Sequence, residues 1–349
     1  PSFVALRNDK PAREVVRERA PRALADDEGG AGSGAGAESG AGAGSGAGAA
    51  GAARAARAAK GVGASAVRLT HEDRVLDPTS GLTKGDLAAY LEAVAAPLLS
   101  FGGRRPLALV RCPDGLDGER FFQKKKLPGM GDDIHEARLG EERLLFVIDA
   151  AGLRTLAQFS TLELHGWGSP LARLEQPDLI VMDLDPDEGL PFAKVVDAAL
   201  EVKDAFDALG MRSYVKTTGG KGLHVTVPLA RGHTWPAVSA FTEALARHLA
   251  ERAPARYTAN IKKAARKGKI FVDHLRNRRG STAVLPFSTR ARPNLTVAFP
   301  IAWRDLRSLD PTAFSLRTVP KLLARRRKDP WAGFWDDLQR LTKGAGGAP

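Results

Sequence analysis

The chain has a single cysteine, Cys112, in 349 residues. That excludes a disulfide framework and any cysteine-based zinc site, and it fits a reducing compartment. No run of 18 or more apolar residues occurs, so no membrane span is predicted. There is no initial methionine and no charged-then-apolar leader, so the chain reads as a fragment rather than a secreted precursor. Its glycines lack a period of three, which excludes a collagen-like helix.

What is present is unevenly spread. Thirteen of the 37 glycines fall in residues 29–63, a stretch too poor in apolar side chains to offset its ordering entropy. Its end, Ala52 to Lys60, is at most transiently helical. Residues 1–28 carry six basic and six acidic side chains and are too few to fold alone. Of the net charge of +12, residues 64–349 supply +10. A sequence pI near 10 points to a polyanionic partner.

From Val67 on, helical and extended patterns alternate. Thr83 to Leu99 reads as a helix opened by Thr83 and Asp86 in near capping-box spacing. Helices are also expected over Pro191–Leu209 and Thr234–Ala253, and a helix running into a strand over Leu153–Leu164. Pro106–Arg111, Leu144–Ile148, Leu179–Asp185 and Lys269–Asp273 read as strands. Ser213–Lys216 and His224–Pro228 read as a hairpin around a glycine-rich turn. The fold class is therefore α/β or α+β.

Three constellations could carry chemistry. In Leu179-Ile180-Val181-Met182-Asp183-Leu184-Asp185-Pro186, strand alternation puts Asp183 and Asp185 on one face. Two carboxylates so placed repel unless a cation lies between them, which suits Mg²⁺ or Mn²⁺; two solvated turn aspartates are the plainer alternative. Asp273 ends a second apolar strand and would complete a two-metal set for displacement at phosphorus, or simply pair with the arginines that follow it. In Lys216 to His224, three glycines let backbone N–H groups approach an anion. Thr218, Lys221 and His224 add a hydroxyl, a charge and a hydrogen-bonding ring, although the spacing is not that of a Walker A loop.

Basic and aromatic residues interleave elsewhere. Phe121 and Phe122 precede Lys124, Lys125 and Lys126, so an exposed ring could stack on a base while the lysines meet phosphates; one of the two rings is expected in the core. Arg290 and Arg292 form an arginine-rich loop suited to phosphate or carboxylate. Arg325-Arg326-Arg327-Lys328 reads as a solvated helix face.

Taken together, these motifs resemble the polymerase domain of bacterial DNA ligase D, a branch of the archaeo-eukaryotic primase superfamily. The resemblance covers nearly all of residues 66–338. It rests on Arg68 to Arg74, Gly81 to Leu87, Gly118 to Lys124, Leu162 to His165, the Asp-Leu-Asp-Pro strand, Thr217 to His224, and Asp273 to Thr282. It implies a primase-like α/β (α+β) core with an RRM-like antiparallel sheet over residues 66–340, behind a flexible linker at 29–65. Residues 1–28 resemble the tail of that family's ATP-dependent ligase domain.

By this resemblance Asp183, Asp185 and Asp273 bind two ions, Mn²⁺ or Mg²⁺, and Thr218, Lys221 and His224 hold the triphosphate of an incoming NTP or dNTP. His165, Arg276 and Arg290 lie near the nucleotide, and Phe121 or Phe122 stacks on a base. Arg74 and Lys84 grip the 5′-phosphate of a gap. Asp77 stands where an aromatic is usual, and Thr218 where Ser is. The implied activity is template-directed nucleotidyl transfer to a DNA 3′-OH at gaps and broken ends, in non-homologous end joining. The implied partners are gapped or broken duplex DNA, the ligase domain of the same polypeptide and the Ku end-binding protein. The implied location is the cytoplasm, at the nucleoid. A catalytically decayed DNA-end-binding module and another metal-dependent phosphotransfer enzyme, such as a nuclease, are the alternatives. The intact aspartates weigh against the first and the glycine-rich loop against the second.

Overall fold

A computed structural model describes residues 68–341; the expected ligase tail (1–28), the linker (29–65) and the helical stretch Ala52–Lys60 lie outside the described residues. In chain order the strands are β1 (Val75–Asp77), β2 (Leu82–Thr83), β3 (Leu107–Arg111), β4 (Phe121–Gln123), β5 (His135–Leu139), β6 (Glu142–Phe146) and β7 (Thr161–Trp167). There follow β8 (Leu179–Pro186), β9 (Tyr214–Thr217), β10 (Leu223–Pro228), β11 (Tyr257–Thr258), β12 (Ile270–Asp273), β13 (Thr282–Val284) and β14 (Pro300–Ile301). The helices are α1 (Lys84–Ala93), α2 (Ala95–Gly102), α3 (Ala150–Gln158), α4 (Phe192–Ala208), α5 (Trp235–Arg252) and α6 (Val319–Arg325).

Two sheets dominate. A six-stranded sheet runs β11-β12-β8-β10-β9-β14, antiparallel except for the β11–β12 pair. A four-stranded antiparallel sheet runs β13-β7-β3-β4, and β1–β2 and β5–β6 form two further hairpins. Helices α4 and α5 pack on the six-stranded sheet. Ile180, Met182 and Leu184 of β8 join Val195 and Ala199 of α4 and Val238 of α5 in the main core. The intervening residues of β8 therefore point the other way. There a cavity separates the two sheets, lined by Val181, Lys216, His224 and Arg276 on one side and by Gly166, Trp167 and Val284 on the other.

The expected helix over 83–99 begins as predicted. Asp86 N–H donates to Thr83 Oγ1 (3.2 Å) and Thr83 N–H to Asp86 Oδ2 (2.9 Å), closing a capping box. It breaks at Val94 (φ −103°, ψ 8°), where α1 ends and α2 begins. The basic run at 325–328 is not one helix face. Helix α6 stops at Arg325, and Arg326 turns inward to lie over the Phe299 ring and donate to the Pro300 carbonyl.

Candidate active site

The register of three strands builds the acidic centre. Asp183 of β8 stands opposite His224 of β10 and opposite Asp273 of β12. His224 in turn stands opposite Lys216 of β9. One row therefore crosses the sheet as Asp273, Asp183, His224 and Lys216, and alternation places Asp185 on the same face. His224 Nε2 lies 3.3 Å from Asp183 Oδ1. The Arg276 guanidinium bridges Asp183 (3.2 Å) and Asp273 (3.1 Å), and Arg266 pairs with Asp185 (3.2 Å).

Burial and charge divide these carboxyls. Burial works against ionising Asp183, but His224, Arg276 and Lys216 overcome it and hold its pKa below the usual range. Asp185 is pushed up by burial and then by the charge of Asp183. Asp273 is pushed up by burial, with Arg276 opposing. Burial takes Lys216 down to about 7 against the pull of Asp183. Burial and then Lys216 bring His224 down to about 4. Lys216 Nζ and His224 Nδ1 are both buried without a hydrogen-bond partner. Among the described residues, no three His, Cys, Asp or Glu side chains are grouped so as to hold a metal ion.

The glycine-rich turn between β9 and β10 is glycine by necessity. Gly219 has φ +67°, and a Cβ there would sit 2.7 Å from Arg290 Cγ; at Gly222 it would sit 2.4 Å from the Leu184 carbonyl oxygen. Thr218 Oγ1 is spent within the turn, donating to the Gly222 carbonyl (3.0 Å) and accepting from Gly220 N–H (3.3 Å). Lys221 is exposed, 3.7 Å from Glu188. Of the two loop arginines, Arg290 is engaged: its Nη1 donates to the Thr218 carbonyl (2.5 Å) and its Nε lies 3.0 Å from Glu163. Arg292 is exposed, and its guanidinium carbon would be 3.4 Å from a Cβ on Gly220. It overhangs the turn.

His165 of β7 reaches the site from the four-stranded sheet, with Nε2 2.7 Å from Glu163 Oε2. Burial opposes ionising Glu163, yet His165, Arg290 and the Ala291 N–H bring its carboxyl down to about 2. On the edge strand β4, Phe122 is 83% exposed and Phe121 41%. Both rings therefore face solvent, whereas one was expected in the core. Lys124 and Lys125 beside them are exposed.

Arg74 Nη1 donates to the Pro113 carbonyl (2.9 Å). Lys84 is buried, and its Nζ donates to the Thr70 carbonyl (2.5 Å). Burial and then the charge of Arg74 lower the Lys84 pKa, so the two cations sense each other. Asp77, buried at the end of β1, accepts from Thr79 N–H (3.1 Å), Ser80 Oγ (2.5 Å) and Asn294 N–H (2.6 Å). The last bond ties β1 to the turn that follows Arg292.

Sequence reading named the aspartates, His224, His165 and the glycine turn; the structure sets Asp273, Asp183 and His224 in one cross-strand row with Asp185 on the same face, the turn at the end of β9 and β10, and His165 on the four-stranded sheet. It missed Glu163, Arg266 and Lys216. Of these only Glu163 left a signal, two residues before His165 in a strand.

Carboxylates in register beneath a glycine-rich turn, with cations above, are the equipment of a nucleotidyltransferase. The family model for the LigD primase-polymerase domain matches residues 83–331, and the chain belongs to that family. It is 39% identical over 349 residues to a multifunctional non-homologous end joining protein LigD of Pseudomonas aeruginosa, covering 97% of this chain and 38% of that protein. It is 32% identical over 291 residues to a Mycobacterium tuberculosis (strain H37Rv) LigD, covering 80% and 37%. A Bacillus subtilis bifunctional LigD is 31% identical over 257 residues, covering 72% and 42%. The chain thus spans about two-fifths of these relatives' length. Among solved structures, the polymerase domain from M. tuberculosis ligase D in complex with DNA aligns with a TM-score of 0.71 and 29% identity, covering 79% of this chain and 100% of that one. Among the described residues, no helix is long and apolar enough to cross a membrane.

Proposed function

We propose that residues 66–340 fill gaps and extend broken ends of duplex DNA, adding an NTP or dNTP to a 3′-OH opposite a template. The observation that carries this reading is the register of Asp183 with Asp273 and His224 at the mouth of the glycine turn. Asp183, Asp185 and Asp273 fit a divalent cation site. They supply only hard oxygen donors, and the carboxyls of Asp185 and Asp273 are pushed up by desolvation and by the charge of Asp183, a repulsion that added positive charge relieves. Two Mn²⁺ or Mg²⁺ ions held there would supply charge neutralisation for attack of the 3′-OH on the α-phosphorus and departure of pyrophosphate.

The chain's own residues hold the reactants. The backbone N–H groups of the Gly219–Gly222 turn, Lys221, His224 and Arg292 face the triphosphate, and Thr218 joins them by releasing its bond to Gly222. Arg276 keeps Asp183 ionised, His165 borders the nucleotide, and Phe122 offers a stacking face for a base. Arg74 and Lys84 grip the 5′-phosphate across the gap. The relatives' names extend the setting to non-homologous end joining; the partners we propose there are a ligase domain of the same polypeptide, joined through residues 29–65, and the Ku end-binding protein at the break.

The test is Mn²⁺-dependent primer extension on a gapped duplex. Asp183→Ala abolishes extension while leaving DNA affinity within about threefold. Full extension by that variant defeats the assignment.

A further inference from the structure

Glu163 is 7% exposed on β7, and both of its oxygens are occupied. Oε2 meets His165 Nε2 (2.7 Å) and Arg290 Nε (3.0 Å), and Oε1 accepts from Ala291 N–H (2.9 Å). The other end of Arg290 donates to the Thr218 carbonyl in the turn that leaves β9 of the six-stranded sheet (2.5 Å). The segment around it is stitched to both sheets. Thr289 Oγ1 donates to the Leu162 carbonyl, Leu164 N–H to Ser288 Oγ, and Thr296 Oγ1 to the Gly219 carbonyl. A single carboxylate thus sits where His165 and the phosphate-facing turn are joined.

We propose that Glu163 is a positioning residue that fixes His165 and, through Arg290, the Thr218–Gly222 turn in one geometry, so that both halves of the nucleotide site are set before the nucleotide arrives. This rests on the nucleotide-binding part of the proposed function. A carboxylate only accepts, and its partners here include a guanidinium and a backbone N–H, which only donate. In Glu163→Gln, one oxygen becomes an NH2 group. The ion pair with Arg290 is lost with the charge, and the NH2 group meets a donor in either orientation, Arg290 Nε at the Oε2 position or Ala291 N–H at the Oε1 position. The substitution keeps the shape and releases the arginine. A freed Arg290 no longer holds the Thr218 carbonyl, and the turn loses its fixed orientation.

The test is calorimetric titration of ATP with Mn²⁺ into the full chain, for wild type, Glu163→Gln, Arg290→Met and the double variant. Gapped-DNA extension is run alongside. Glu163→Gln weakens ATP binding about tenfold and raises the nucleotide KM by the same factor, with kcat within twofold. The double variant binds no more weakly than Arg290→Met alone, because both remove one linkage. Glu163→Asp, which keeps two acceptor oxygens, restores at least half of the lost affinity on a logarithmic scale.

Wild-type affinity in Glu163→Gln, or losses that multiply in the double variant, overturns the proposal. So does a lower kcat at unchanged KM, the mark of a merely misfolded fraction. Wild-type protein that binds ATP yet extends no primer defeats the polymerase reading, and the same titrations still decide the role of Glu163. Absence of ATP binding by the wild type overturns both.

Discussion

Asp183 and Asp273 face each other directly across β8 and β12, and Arg276 holds them with one guanidinium at 3.2 and 3.1 Å. Without it, two ionised carboxylates in adjacent strands would destabilise the register that brings them together. The free protein thus keeps its acidic centre folded with arginines, and any entering cation competes with them.

That competition is sharpest at Asp185, whose partner Arg266 ends a short 3-10 helix (Lys263–Arg266) and stacks over Phe271 at 3.9 Å. Arg266→Ala leaves Asp185 facing Asp183 with one cation fewer. The expected result is a several-fold lower Mn²⁺ concentration for half-maximal extension. It is measured by metal titration, and an unchanged or higher midpoint counts against the competition.

Lys216 gives a pH signature in chelator-treated protein. Its pKa falls from 10.5 to about 7 on folding. The unfolded chain therefore takes up this proton first, between about pH 10.5 and 7. Over that window the folded state loses stability as pH falls, and below about 7 the contribution is constant. Lys216→Met removes this slope and is expected to be more stable than wild type near pH 7. Urea unfolding at about pH 7, 8.5 and 10 measures both, and parallel pH profiles for the two proteins contradict the assignment.

Lys84 is the buried member of the proposed 5′-phosphate grip. Lys84→Ala is expected to weaken binding to a 5′-phosphorylated gap more than to an unphosphorylated one, and to lower the salt slope by ~0.7–0.9, the share of one neutralised phosphate. Fluorescence anisotropy across a salt series measures it; equal weakening on both substrates removes Lys84 from that role.

The parts of the site that follow local periodicity were legible in the sequence. Two aspartates at i and i+2 after an apolar run had to share a face, and the crowded glycines had to turn the chain. What the sequence hid is register. Nothing local says that Asp273 meets Asp183 rather than Asp185, or that Arg266 reaches back 81 residues to a carboxylate. Arg290 and Arg292 look equivalent two residues apart. Glu163, brought in on another sheet, and the Thr218 carbonyl engage the first, and the second is left over the turn. Nothing local in the sequence says that Lys84, expected at a 5′-phosphate, is drawn inward by the Thr70 carbonyl. The break at Val94 does leave a local signal: Pro97 has no N–H for the Ala93 carbonyl four residues before it, so one continuous helix cannot run through this point.

The bond from Asn294 to Asp77 spans 217 residues of sequence. It fastens the strand beside Arg74 to the turn beside Arg292, so two stretches of surface that would otherwise drift independently share one mechanical coordinate. A load applied to either is borne by the same buried carboxylate.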